Sequence, residues 1–331
     1  MVAIQAIPTI PPMLDAIPSA WNSNFEIAEK HTREWCRTHS LLSSEDDHKI
    51  YDMQLICDLS ARVYPSASAE DLCLLNDFMS WAFHWDDIVD GSGGECSADQ
   101  IEERLARMDS VVFGGVDRAD ADAFDNSFLE IWSRMRRKTT GAWQRRFHYD
   151  FLEYTWAITY EANLRTQDNT IPIRNLLETK RIIGGCMPTI DVYDIALGVN
   201  IPLALYYCCE FKAMVTASAD ISTFTNDLFF PEYDASGKRA NVVLSFEQEN
   251  GGDREAAVER TKALIDDRLR DFFHAERMLP DALRRIARAS ENITDDDIEN
   301  SLKWAAATRD WMRGCWDWYA TSRRYTERRP I

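Results

Sequence analysis

The sequence predicts an all-α protein, and three observations carry that prediction. Apolar residues recur at the helical period along nearly the whole chain. Glycine and proline are sparse, 13 and 11 in 331 residues, which argues against turn-rich all-β and collagen-like classes. No alternating strand series, no βαβ rhythm and no internal repeat interrupts the pattern.

Taken in order, residues 1–20 read as a Pro-rich extended arm, and residues 21–331 as one α-helical domain. Leu72, Leu75, Met79, Ala82, Phe83 and Asp86 follow 3.6-residue spacing. Ile131 with Met135, and Val258 with Ile265 and Leu269, do the same in their own segments. Breaks fall at Gly91–Gly94, near Gly114–Gly115, at Asp168–Pro172, at Gly184–Pro188 and at Gly198–Pro202. Further breaks fall at Pro231–Lys238, at Gly251–Gly252 and near Pro280. The stretches between are roughly 12 to 30 residues long, right for helices and too long for strands.

Composition narrows the function. Hydrophobic residues at 45% and charged residues at 28% describe a globular chain that buries a core. The net charge of −18 disfavours nucleic acid and anionic membranes as partners. An acidic protein acting on an anion must invert its local field, and bound cations are the usual means. The N-terminus lacks a basic n-region, and no run of about 18 apolar residues exists, so the chain reads as cytoplasmic, without stable membrane insertion. The eight cysteines form no Cys-x-x-Cys pair and read as reduced thiols. The six histidines form no His-x-x-x-His pair, which disfavours zinc hydrolases. Arg134, Arg136, Arg137, Lys138, Arg145 and Arg146 read as a solvated basic helix end.

The sharpest local feature is Phe83-His84-Trp85-Asp86-Asp87-Ile88-Val89-Asp90. Asp86 and Asp90 are four apart and share a helix face. Two carboxylates there repel unless a cation sits between them, and hard divalent ions take such oxygen ligands. Met79, Ala82 and Phe83 precede them, so the wall is greasy below and anionic at its rim. The Gly91–Gly94 segment that follows could act as a lid. Two acidic runs serve as controls. Asp266, Asp267 and Asp271 lie on a polar helical face, and Asp295–Asp297 follow Thr294 as a helix N-terminus would.

A second motif lies downstream. Asn226-Asp227-Leu228-Phe229-Phe230 ends an apolar helix and runs into Pro231, Asp234, Gly237, Lys238 and Asn241. With it, the chain resembles class I terpene synthases, fungal sesquiterpene cyclases in particular. Asp86, Asp87 and Asp90 match that family's DDxx(D/E) motif; Asn226, Asp227 and Asp234 match its NDxx(S/T)xxx(D/E) motif. The resemblance implies a single α-domain around a central cavity, with three Mg2+ ions, or Mn2+ in their place. Asp86, Asp87, Asp90, Asn226 and Asp234 would be the ligands. It implies a diphosphate-sensing Arg, taken as Arg181 with Lys180 as alternate, and a terminal Arg-Tyr pair, Arg324 and Tyr325, on the diphosphate. Lys238 would join this clamp. Phe83, Trp85, Phe224 and Trp318 are the candidate cavity aromatics.

Two departures from the family pattern stand out. Phe230 occupies the Ser/Thr position and cannot ligate a metal, and Pro231 interrupts the helix between Asn226 and Asp234. The resemblance implies a sesquiterpene synthase that ionises farnesyl diphosphate, releases pyrophosphate and cyclises the cation, as monomer or homodimer. A chain-elongating prenyl diphosphate synthase and a non-catalytic prenyl-diphosphate binder are the alternatives.

Overall fold

The structure is a computed structural model that describes residues 7–89, 97–115, 121–167, 172–236 and 239–324. The described residues form seventeen helices and no strand. The arm carries α1 (Pro12–Asp15), followed by α2 (Phe25–Thr38), α3 (Glu45–Gln54), α4 (Ile56–Val63) and α5 (Ala69–Val89). Next come α6 (Ala98–Val112), α7 (Ala123–Lys138), α8 (Gly141–Gln167) and α9 (Ile173–Ile183). Short helices α10 (Cys186–Asp191), α11 (Tyr193–Leu197) and α12 (Leu203–Tyr206) lead to α13 (Cys209–Phe229). The chain ends with α14 (Pro231–Ser236), α15 (Val242–Glu249), α16 (Arg254–Arg288) and α17 (Asp295–Tyr319).

The sequence explains where these helices start. Ser44, Ser97, Asp122 and Thr294 each cap a helix by a reciprocal bond with the residue three positions on. Asp295–Asp297 occupy the first turn of α17, where carboxylates complement the helix dipole. The expected break near Pro280 is absent: α16 runs through it from Arg254 to Arg288. Leu279, Ala282 and Leu283 are buried there, so packing on the core outweighs the one hydrogen bond that proline removes.

The helices pack in a closed ring. Helix α13 packs on α16 and α17, α17 on α4, α4 on α5, and α5 on α7. Helix α7 packs on α6, α6 on α8, α8 on α9 and α10, and these two return to α13. Helices α5 and α13 are buried on nearly every face, as inner members of an all-helical core must be. Asp77 of α5, fully buried, binds His31 and Thr32 of α2 and Arg134 of α7, fixing α5 on two sides.

Candidate active site

The ring encloses a cavity of about 200 Å³, room for more than about a dozen water-sized groups. Aromatic and aliphatic side chains make up much of its wall: Phe78, Met79 and Trp81 from α5, Phe151 and Tyr154 from α8, and Trp311 and Trp318 from α17. Asp86, Glu161, Lys180, Asn226, Asp234 and Arg239 are the charged and amide side chains of its lining.

Near the end of α5, Arg324 donates to Asp86 Oδ2 at 2.7 Å and approaches Asp87 Oδ1 at 2.8 Å. Its guanidinium also lies 4.8 Å from the centre of the Phe83 ring. Gln54 Nε2 donates to the other Asp87 oxygen at 3.0 Å. The backbone carbonyls of Gln54 and Leu55 accept the Trp318 indole N–H, each at 2.9 Å. Leu55 adopts the left-handed conformation, φ 52°, between α3 and α4. That turn aims its carbonyls at Trp318, at a strain cost of order 1–3 kcal/mol. The Phe83 ring meets Trp318 edge-on at 5.4 Å.

The second half of the site forms where α13 stops. Helix α13 ends at Phe229, and α14 restarts with Pro231 in its first turn, where the missing N–H costs nothing. The Asp234 N–H still bonds Phe230 O, and Asp234 reaches the same cavity as Asn226. Asn241 caps α15 with its side-chain oxygen and donates its amide to Asp234 Oδ2 at 2.8 Å. Asp227 turns the other way, onto Lys180 Nζ at 2.8 Å and the Val242 N–H. Burial pushes the carboxyls of Asp227 and Asp234 up, opposed by the Lys180 ammonium. Glu161 completes the acidic surroundings of Lys180 and accepts the Ala240 N–H.

Several expected residues lie elsewhere. Arg181 points away from the cavity and makes a two-pronged pair with Asp220, which Arg268 also joins. Its neighbour Lys180 faces the cavity instead, because successive helix residues diverge by about 100°. Trp85 is stacked on Trp81 and Phe124 between α5 and α7, away from the cavity. Phe224 is buried in α13 and does not line it either. Phe230 is a packing residue against Phe229 and Tyr319. Arg146 is buried between Asp191 and Asp194 rather than on a solvated helix end. His84 is held by the Ser80 and Leu41 carbonyls. Asp90, the Gly91–Gly94 segment, Cys96, Gly237, Lys238 and Tyr325 lie outside the described residues.

Sequence reading missed Gln54, Glu161 and Arg239. Gln54 and Glu161 carry no motif, and their roles come from chain crossings more than thirty residues away. Arg239 stands next to Lys238, the residue the resemblance implies, and its guanidinium lies 4.6 Å from the Tyr233 ring centre. The Gly184–Gly185 break was legible. A Cβ on Gly184 would come within 2.3 Å of the Thr223 methyl, and Gly185 has φ +61°. Both glycines line the cavity where α9 gives way to α10.

The family model "Terpene synthase family 2, C-terminal metal binding" matches residues 77–271, from the clamped Asp77 of α5 into α16. The chain belongs to the terpene synthase family. Among curated relatives, pentalenene synthase of Streptomyces arenae is 27% identical over 93% of this chain and 90% of its own. Pristinol synthase of Streptomyces pristinaespiralis is 28% identical over 94% of this chain and 83% of its own. The solved structure of linalool/nerolidol synthase from Streptomyces clavuligerus superposes with a TM-score of 0.80 at 22% identity, over 91% of this chain and 98% of that one. These relatives are bacterial, whereas the sequence motifs suggested fungal cyclases. For this terpene synthase the family match supplies a divalent-metal-binding region, and the ring of helices is the family's all-α fold. Among the described residues, no three His, Cys, Asp or Glu side chains converge on one metal position. No helix among them is long and apolar enough to cross a membrane.

Proposed function

We propose that this terpene synthase is a Mg2+-dependent sesquiterpene cyclase acting on farnesyl diphosphate. The observation that carries this reading is the convergence of Asp86, Asn226 and Asp234, from three helices, on one aromatic-lined cavity. The donor set fits magnesium, since every side-chain donor is oxygen and none is His or Cys. Asp86, Asp87, Asn226 and Asp234 would hold the metal, with Asp90 completing the first motif. When bound, Mg2+ supplies charge neutralisation to the diphosphate and stabilises it as it leaves.

The chain's own residues do the rest. Lys180, Arg239 and Arg324 bring three protein cations to the diphosphate, and we assign the contact expected of Arg181 to Lys180. The allylic C–O bond breaks and its electron pair departs on pyrophosphate. Trp318 and Phe83 offer π-faces to the cation left behind. Cys186 and Cys315 line the same cavity, and burial pushes both thiols up, Cys186 to about 12.

Chain elongation is disfavoured by α13, which presents Asn226 and Asp227 where that class carries a second Asp-rich motif, with Asp227 already taken by Lys180. Incubation with farnesyl diphosphate and Mg2+, then gas chromatography, separates the readings. A volatile C15 hydrocarbon or alcohol is expected. Longer diphosphates, formed when isopentenyl diphosphate is added, would establish elongation, and intact substrate would establish a binder.

A further inference from the structure

Helix α3 ends at Gln54, beside the Asp-rich end of α5, and Gln54 is 1% exposed. A buried amide must find partners, because an unpaired polar group there is costly. Its Nε2 donates to Asp87 Oδ2 at 3.0 Å. Arg324, equally buried, takes the other oxygen: its Nη2 lies 2.8 Å from Asp87 Oδ1 and 2.7 Å from Asp86 Oδ2. Held at both oxygens, the Asp87 carboxylate is fixed in orientation.

The backbone of the same turn holds the far end of the chain. The last carbonyls of a helix have no partner within it. Here the C-terminal segment supplies partners for two of them. Met53 O accepts the Arg323 N–H at 3.2 Å. Gln54 O accepts the Trp318 indole N–H at 2.9 Å and the Ser322 hydroxyl at 3.1 Å. Ser322 Oγ in turn accepts the Arg324 N–H at 3.2 Å. These contacts close a circuit. It runs from the Gln54 amide to Asp87, across the Arg324 side chain, and back through the Arg324 N–H and Ser322 to the Gln54 carbonyl. One residue thus sets the Asp-rich helix and the C-terminal cation together.

We propose that Gln54 is a positioning residue for the metal and the diphosphate, holding Asp87 and Arg324 in one fixed relation. The inference rests on the reading of this cavity as a metal–diphosphate site. The residue type fits the task. A lysine here would neutralise Asp87 and compete with a metal for it, and a glutamate would add a further carboxylate beside Asp86 and Asp87. The neutral amide orients the carboxylate and leaves its charge for cations. Groups that hydrogen-bond a metal ligand in this way orient it and tune its affinity. Sequence spacing gives no hint of the role, because the circuit joins residues more than 260 positions apart.

Calorimetric titration of the full chain with Mg2+ and inorganic pyrophosphate tests this without turnover. Gln54→Leu keeps the backbone carbonyls and removes the amide. It should weaken Mg2+-dependent pyrophosphate binding by about 10–100-fold. With farnesyl diphosphate it should raise the Mg2+ concentration for half activity in the same direction. Asp87→Asn should weaken binding too, and the double variant should stay within about threefold of Asp87→Asn alone, because Gln54 acts through Asp87. Ser322→Ala cuts the circuit on its other side and should weaken binding by at least about threefold, the scale of one hydrogen bond. It carries the test if Gln54→Leu melts too low to titrate. A Gln54→Leu chain that binds pyrophosphate as the unaltered chain does, while melting lower, would reduce Gln54 to packing and overturn the proposal. Effects of Gln54→Leu and Asp87→Asn that simply multiply would overturn it as well. An unaltered chain that binds pyrophosphate but forms no C15 product would overturn the cyclase reading alone. One that binds no pyrophosphate with Mg2+ would overturn both.

Discussion

At the residue scale, Asp86 is where the cavity, Arg324 and the Asp-rich motif meet. It lines the cavity, holds Arg324 and is the first carboxylate of the Asp-rich motif. Asp86→Ala should lower turnover by at least about 10³-fold, the scale of losing a principal electrostatic stabiliser. Turnover near that of the unaltered enzyme would mean the diphosphate binds elsewhere. Lys180 and Arg181 allow a sharper comparison. Lys180→Met should reduce turnover strongly, since its ammonium faces the cavity. Arg181→Met should instead lower the melting temperature, since it frees buried Asp220 from one of its two cations. The reverse pattern would return the diphosphate contact to Arg181. Phe230 is 5% exposed between Phe229 and Tyr319, so Phe230→Ser should destabilise by about 3–5 kcal/mol. It should leave the Mg2+ requirement unchanged, because the helix restarts at Pro231 and the new hydroxyl would replace a packed ring. A Mg2+ titration beside a thermal melt checks both halves. This is also where the sequence was most and least readable. Asp86, Asn226 and Asp234 were legible because a motif is local. Trp85 and Phe224 were misassigned because aromatic spacing alone does not say which face of a buried helix meets a cavity.

At the element scale, a buried polar network joins α8 to α10, α11 and α17. Arg146 bridges Asp191 and Asp194, and the Trp304 indole N–H donates to Asp194. Asp150, beside Asp191, has its carboxyl pushed well above the usual carboxylate range, by burial first and by the Asp191 charge second. The folded state therefore keeps a proton there that the unfolded chain has lost. Stability from this group is present below its unfolded value near pH 4 and is lost as pH rises toward the raised folded value. Asp150→Asn supplies an amide donor in place of that proton. Its melting temperature should fall less between pH 6 and pH 9 than that of the unaltered chain, and parallel curves would refute the assignment. Helix boundaries were largely readable because Gly and Pro mark them by local backbone chemistry. Pro280 was misread because the tertiary packing of α16 overrides the local rule. The left-handed Leu55 gave no local signal, since its conformation is set by carbonyls that serve Trp318 far along the chain.

At the scale of the whole molecule, a ring of helices around a cavity lined by both aromatic and charged side chains suits the proposed task, in which charged groups would hold an anionic head and π-faces would surround a hydrocarbon tail. The fold class was visible in periodicity alone, whereas the closure of the ring was not, because it depends on which helices meet. The central claim is that this cavity ionises an allylic diphosphate and cyclises what is left. Its most direct measurement is the ratio of pyrophosphate released to volatile C15 product formed from farnesyl diphosphate, with and without a chelator. One pyrophosphate for each cyclised product with Mg2+, and neither with the chelator, is the expected result. Farnesyl diphosphate recovered intact in the presence of Mg2+, or product that forms despite exhaustive chelation, would contradict it.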